Sequence, residues 1–219
     1  MTNQDIASKI DHTILKPTTT HLQIDQLCEE ALQYSFAAVC VPPNRVEQAV
    51  KKLKDSSVKV ATVIGFPFGY NDSIIKMLET NTAIESEVDE VDIVANIGAI
   101  KEHNWEMVRM DLLVAVQLCQ VHKITSKIII ETGLLSKEEI VKMCIICAEL
   151  QVDYVKTSTG FNGEGATIEV IKLMRVNLPK FIKIKASGGI RTREFAVELI
   201  EAGADRLGCS SGVKIVSEN

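Results

Sequence analysis

The run FIKIKASGG, Phe181 to Gly189, carries two lysines two residues apart in an otherwise apolar stretch. Side chains alternate across a strand, so Lys183 and Lys185 share one face while Ile182 and Ile184 share the other. The polar faces of other short runs extend the set: Asp11 and Thr13 in IDHTIL, Cys40 in AAVCV, Asp92 in EVDIVAN with Asn96 farther along, Glu131 in KIIIET and Lys156 in DYVKTSTG. Acids and ammonium groups gathered in one cavity balance in sign, which buried charges require. The chemistry open to such a set follows from pKa. A lysine confined beside another ammonium is costly to keep charged, so a neutral amine becomes available to attack a carbonyl and form a Schiff base. A neighbouring carboxylate can then shuttle protons, most simply through a bound water. For any one lysine alone, a structural ion network explains the residue equally well.

Two loops point to an anion. ASGGIRT and GCSSG follow the last two apolar runs; Gly188 and Gly189 let backbone N–H groups come close to a ligand, and Ser210 and Ser211 add hydroxyl donors. KTSTGFNGEGAT adds a third glycine-rich turn. With the lysines, these loops predict a phosphorylated carbonyl compound as substrate.

Positioning residues from distant parts of the chain in one cavity requires a particular architecture. Strand-type runs occur near residues 10–14, 38–41, 60–64, 91–95, 127–131, 154–157, 182–186 and 206–208, separated by helical patterns. Thr20 with Gln23, Asn44 with Glu47 and Ser136 with Glu139 have the spacing of capping boxes at helix starts. A weak echo, EVDEVDIV, QVDYVKTS and GADRLGCS, marks helix ends running into strands. Strand alternating with helix implies a parallel sheet. Eight such units in 219 residues predict a single-domain α/β fold over 1–219, a (βα)8 TIM barrel, with a doubly wound open sheet as the alternative. Barrel sites lie where strands end and loops begin, which is where the inward acids and lysines fall.

Composition narrows the partners. A net charge of -5 gives no general attraction to nucleic acid or anionic membrane, so any anion site must be local. MTNQDIASKIDHTILKP lacks the basic start and apolar run of a signal peptide, and no run approaches a membrane span, which predicts a cytoplasmic protein. The six cysteines sit mostly in apolar runs and read as reduced thiols; Cys144 and Cys147 form a CxxC inside a helical pattern, where core packing is the expected role. Four scattered histidines give no ligand spacing, so neither a metal nor another cofactor is expected.

DHTILKP, AAVCVPP, IGFPFG, EVDIVANIGAIK, IIIETGLL, YVKTSTGF, KASGGIRT and GCSSGVKIV resemble, in order, the barrel segments of the deoxyribose-phosphate aldolase family. VKTSTG with KASGG is the most specific part of the match. The resemblance implies a metal-independent class I aldolase that reversibly cleaves 2-deoxy-D-ribose 5-phosphate to D-glyceraldehyde 3-phosphate and acetaldehyde in deoxyribose catabolism, and it implies a homodimer. It also implies roles: Lys156 forms the imine, Lys185 depresses its pKa, Asp92 relays protons, and Gly160, Gly188, Gly189, Gly208, Ser210 and Ser211 contact phosphate. Glu87 and Val88, and likewise Gln151 and Val152, stand where the family commonly has Gly-Ala, at junctions expected to affect stability rather than chemistry. Phe161 follows STG, where some relatives carry a basic residue. Lys183, one layer deeper than Lys185, reads as the partner of an inward carboxylate, with Glu131 either that partner or the holder of the relay water. Asp11 and Cys40 complete the supporting set, Cys40 as a small packed thiol. Another Schiff-base aldolase, or a non-catalytic sugar-phosphate-binding barrel, are the alternatives; binding phosphate needs only the loops, so the two lysines with Asp92 argue against the second.

Overall fold

A computed structural model describes residues 1–217. The first half of the chain runs α1 (Asn3–Ala7), β1 (Ile10–Thr13), α2 (His21–Tyr34), β2 (Ala38–Cys40), α3 (Val46–Leu53), β3 (Lys59–Ile64), α4 (Ser73–Glu85) and β4 (Glu90–Val94). It continues with α5 (Ile97–Lys101), α6 (Trp105–His122), β5 (Thr125–Ile129), α7 (Lys137–Glu149), β6 (Tyr154–Lys156), α8 (Ile168–Asn177), β7 (Lys183–Ser187), α9 (Arg193–Glu201), β8 (Arg206–Cys209) and α10 (Gly212–Ser217). All neighbouring strands are parallel, and β1 pairs with β8 to close the predicted eight-stranded barrel. No helix among the described residues is long and apolar enough to cross a membrane.

The alternation read from the sequence is the packing pattern. Ile10, Val39, Val60, Val91, Ile93, Ile128, Val155, Ile184 and Leu207 face outward and are buried beneath the helices. Each such side chain contributes roughly 1.5–3 kcal/mol by leaving water. The interior is two-sided: Cys40, Ala61 and Val63 form a small apolar cluster on β2 and β3, whereas inward positions on the other strands carry most of the charge. Cys40 is fully buried, and burial pushes its thiol up to about 11, so it is an inert packed group. Cys144 and Cys147 are likewise buried within α7, and the Cys144 thiol is pushed up to about 12.

Two of the three expected capping boxes form, Thr20 with Gln23 and Ser136 with Glu139. The third does not. Pro42 and Pro43 open a 3-10 turn over Pro43–Arg45, so Asn44 lies within that turn and α3 starts from Arg45 without a side-chain cap. A fixed proline φ suits a turn start and leaves Asn44 no place as the half-in residue.

The echo has a physical cause. Glu87, Gln151 and Gly203 each follow a helix end with φ of 60°, 53° and 119°. The next residue, Val88, Val152 or Ala204, donates its N–H back to Ala83, Cys147 or Leu199, which is helix termination by a left-handed residue. The aspartate after it then grips the start of the preceding strand: Asp89 accepts from Val60 N at 2.9 Å, Asp153 from Ser126 N at 2.8 Å and Asp205 from Ile184 N at 2.9 Å. The motif therefore ties β4, β6 and β8 to β3, β5 and β7 at the barrel floor.

Candidate active site

Register decides which inward groups meet. Lys156 on β6 lies beside Lys185 on β7, Asp92 on β4 beside Lys127 on β5, and Lys185 beside Arg206 on β8. Asp92 is the centre of the cluster. Its Oδ2 accepts from Lys156 Nζ and Lys185 Nζ, each at 2.7 Å, and its Oδ1 accepts from Lys127 Nζ at 2.8 Å. Lys127 also pairs with Glu90 at 2.7 Å, Lys185 with Asp11 at 2.5 Å, and Arg206 with Asp11 at 2.6 Å. Asp11, Glu90 and Asp92 thus face Lys127, Lys156, Lys185 and Arg206. Three acids against four bases leave one positive charge over, and the low dielectric makes that surplus expensive.

The surplus falls on Lys156. Burial is the main cause lowering its pKa; Asp92 opposes this and the Lys185 ammonium adds to it. Lys185 is equally buried, but Asp11 and Asp92 on either side hold its pKa above the ordinary lysine value. Lys127 is also raised: burial opposes the charge, and Asp92, Glu90 and Asp11 outweigh it. Asp92 is buried as well, yet Lys127, Lys156 and Lys185 hold its carboxyl well below the usual range. One carboxylate shared by three ammoniums satisfies each incompletely. Lys156 alone of the three lysines has no second acid.

Lys156 is also the member of the cluster that reaches the C-terminal mouth of the barrel. A cavity of about 380 Å³ at the C-terminal end of the barrel is lined by Lys156, and none of the other six charged groups of the cluster lines it. Its walls come from β1 and the loops after β6, β7 and β8, including Thr13, Gly160, Gly188, Gly189, Gly208 and Ser210. Gly188 has φ 89°, and a Cβ there would stand 2.8 Å from the Cα of Gly165, so the β6 and β7 loops touch backbone to backbone. Gly208 has another reason to be glycine: an added Cβ would meet Lys185 Cε and Ser187 Cβ at 3.0 Å. No carboxylate lines the cavity among the described residues, while Lys16 and Arg191 do. A chain of net charge -5 therefore holds a locally cationic pocket.

The fold gathers Lys156, Lys185, Asp92 and Asp11 and lines the cavity with Gly160, Gly188, Gly189, Gly208 and Ser210. Ser211 is outside the lining, and its carbonyl accepts the Ile215 N–H of α10. Lys183 corrects the sequence reading. β7 begins there, so its inward position lies at the open floor of the barrel, where Lys183 is exposed with Nζ 5.5 Å from the Tyr154 ring centre. The carboxylate-neutralising role expected of it belongs to Lys127. Glu131 corrects part of it too, since it is not the partner of Lys183, which stands at the barrel floor. It lies past the end of β5 with φ 55°, and its carboxylate accepts from Thr159 and Asn162 in the β6 loop.

Lys127, Glu90 and Arg206 were missed, although the period-two signal was available: Lys127 is four residues before Glu131, Glu90 two before Asp92, and Arg206 two before Gly208. Lys16 and Arg191 carry no such signal, because loop side chains have no period.

The chain matches the family model described as DeoC/LacD family aldolase over residues 6–218. It is 50% identical over 220 residues to the deoxyribose-phosphate aldolase of Caldicellulosiruptor saccharolyticus, covering 100% of both chains. With that of Thermococcus kodakarensis it shares 48% identity, over 99% of this chain and 97% of the relative. Among solved structures it is similar to the deoxyribose phosphate aldolase of Aeropyrum pernix, described as a unique tetramer, with TM-score 0.92, 30% identity and coverage of 99% of this chain and 91% of that one.

Proposed function

Since this chain belongs to the DeoC/LacD aldolase family, we propose that it cleaves 2-deoxy-D-ribose 5-phosphate reversibly to D-glyceraldehyde 3-phosphate and acetaldehyde through a Schiff base on Lys156. The observation that carries this reading is that one amine of a seven-group charge cluster opens onto the cavity, and it is the amine whose pKa burial lowers. Neutral Lys156 attacks C1 of the open-chain sugar, and loss of water gives a protonated imine. The C2–C3 bond breaks with its electron pair flowing to the imine nitrogen while the C3 hydroxyl loses its proton. Glyceraldehyde 3-phosphate departs, the enamine takes a proton at C2, and hydrolysis frees acetaldehyde and the amine.

Lys185, pinned between two carboxylates, remains an ammonium and keeps Lys156 partly neutral. Asp92 serves first as the electrostatic anchor. A carboxylate held well below its ordinary pKa is a weak base, so a proton that it accepts from the carbinolamine passes on at once to water or to the departing hydroxyl. Lys16, Arg191 and the β6, β7 and β8 loops would take the phosphate. A second copy of this chain is the proposed protein partner, seated on the exposed apolar side chains Ile74, Leu78, Met107 and Met110 of α4 and α6; sedimentation velocity decides this.

Borohydride reduction of the protein with acetaldehyde tests the chemistry. Mass spectrometry is expected to place an ethyl adduct on Lys156, and Lys156→Leu is expected to give neither adduct nor turnover. An adduct elsewhere, or none in the wild type, removes the assignment.

A further inference from the structure

Glu131 is a buried acid that the mechanism does not use. It is 0% exposed, adopts φ 55°, and has no ion-pair partner within 4 Å among the described residues. A left-handed backbone at a side chain of this size is unfavourable and persists only where surrounding contacts enforce it. Those contacts are all donors from one loop. Thr159 N donates at 3.1 Å, the Thr159 hydroxyl donates to Oε2, and Asn162 Nδ2 approaches Oε2 at 3.4 Å. The Thr159 hydroxyl in turn accepts from Phe161 N at 3.1 Å, so the carboxylate orients the loop backbone through two residues.

The same loop is tied to a second one. Asn162 Nδ2 donates to Pro67 O at 2.9 Å, and Phe161 stands edge-on to Phe66 with ring centres 5.2 Å apart. Thr159, Gly160 and Phe161 form one wall of the cavity, starting three residues after Lys156. We infer that Glu131 is a positioning residue which, as a carboxylate, clamps the β6 loop against the β3 loop and so sets the cavity wall that receives the phosphate end of the substrate. The inference rests on the aldolase reading and adds to it. An ionised carboxylate accepts from these donors with both of its oxygens, whereas an amide in its place keeps one acceptor oxygen and turns its NH2 toward the Thr159 N–H.

Glu131→Gln tests it. Loss of a charge-assisted bond is expected to raise KM for 2-deoxyribose 5-phosphate about tenfold or more. In the same variant kcat is expected to hold, turnover of unphosphorylated 2-deoxyribose to stay as in the wild type, and acetaldehyde trapping on Lys156 to persist. Thr159→Val, which removes one hydroxyl donor and keeps the loop length, is expected to move KM in the same direction and serves if the first variant does not fold. Unchanged KM in a variant that still traps acetaldehyde overturns the inference alone. Equal loss for both sugars, or loss of trapping, assigns Glu131 to general stability or to the nucleophile and also overturns it. Failure of the wild type to trap acetaldehyde removes the aldolase reading instead.

Discussion

Lys156 and Lys185 differ in reactivity because of which carboxylates each can reach. Both are buried, and both touch the same oxygen of Asp92. Lys185 adds Asp11, and Gly208 gives it room to do so, since a methyl group there would fall 3.0 Å from Lys185 Cε. Gly208→Ala is therefore expected to displace the Lys185 ammonium from between its two acids. With that cation moved, Lys156 loses one cause of its lowered pKa, so the acidic limb of the pH–kcat profile is expected to shift to higher pH. An unchanged limb with a reduced plateau would assign Gly208 to substrate contact alone.

The junctions between helices and strands show how local geometry serves the barrel. Glu87 and Gln151 occupy the left-handed position that Gly203 fills at the equivalent place before β8. A side-chain-bearing residue there costs roughly 1–2 kcal/mol, partly offset by the greater chain entropy that glycine loses on folding. Glu87→Gly and Gln151→Gly are each expected to raise stability by about 0.5–1 kcal/mol in urea unfolding, without changing turnover. The aspartates that follow are a different matter, since each one closes the floor hydrogen bonds of a neighbouring strand.

The barrel as a whole depends on its interior charges being matched. Asp11 and Asp92 are held below the ordinary carboxylate range, Asp11 despite burial because Lys185 and Arg206 stand against it. A carboxyl depressed in the folded state contributes stability that is complete above its unfolded pKa of about 3.9 and is lost as pH falls toward the folded value. Acid unfolding followed by far-UV circular dichroism is thus expected to begin below about pH 4 and to steepen as pH drops further. Asp92→Asn is expected to destabilise the protein at pH 7 by about 3–5 kcal/mol, because three ammoniums lose their shared counter-charge, and to flatten that acid dependence. An acid profile identical to the wild type would locate the titrating groups elsewhere.

Much of this molecule is legible in the order of its residues. Alternating apolar positions reveal eight strands and set Lys156 and Lys185 on polar faces, and Thr20 and Ser136 announce helix starts, because burial of one strand face and capping of a helix turn involve near neighbours; the resemblance of VKTSTG and KASGG to the aldolase family singles out the two lysines. The pairings that govern reactivity have no local trace. Lys185 meets Asp92 across 93 positions and Arg206 meets Asp11 across 195, contacts that exist only once the sheet closes in one register. That register put Lys127 in the place expected of Lys183, tied Glu131 to the β6 loop, and brought Lys16 and Arg191 to the rim of one cavity. A strand's pattern tells which face is inside; the shear of the closed barrel sets which depth each inward charge occupies and which partner it finds there.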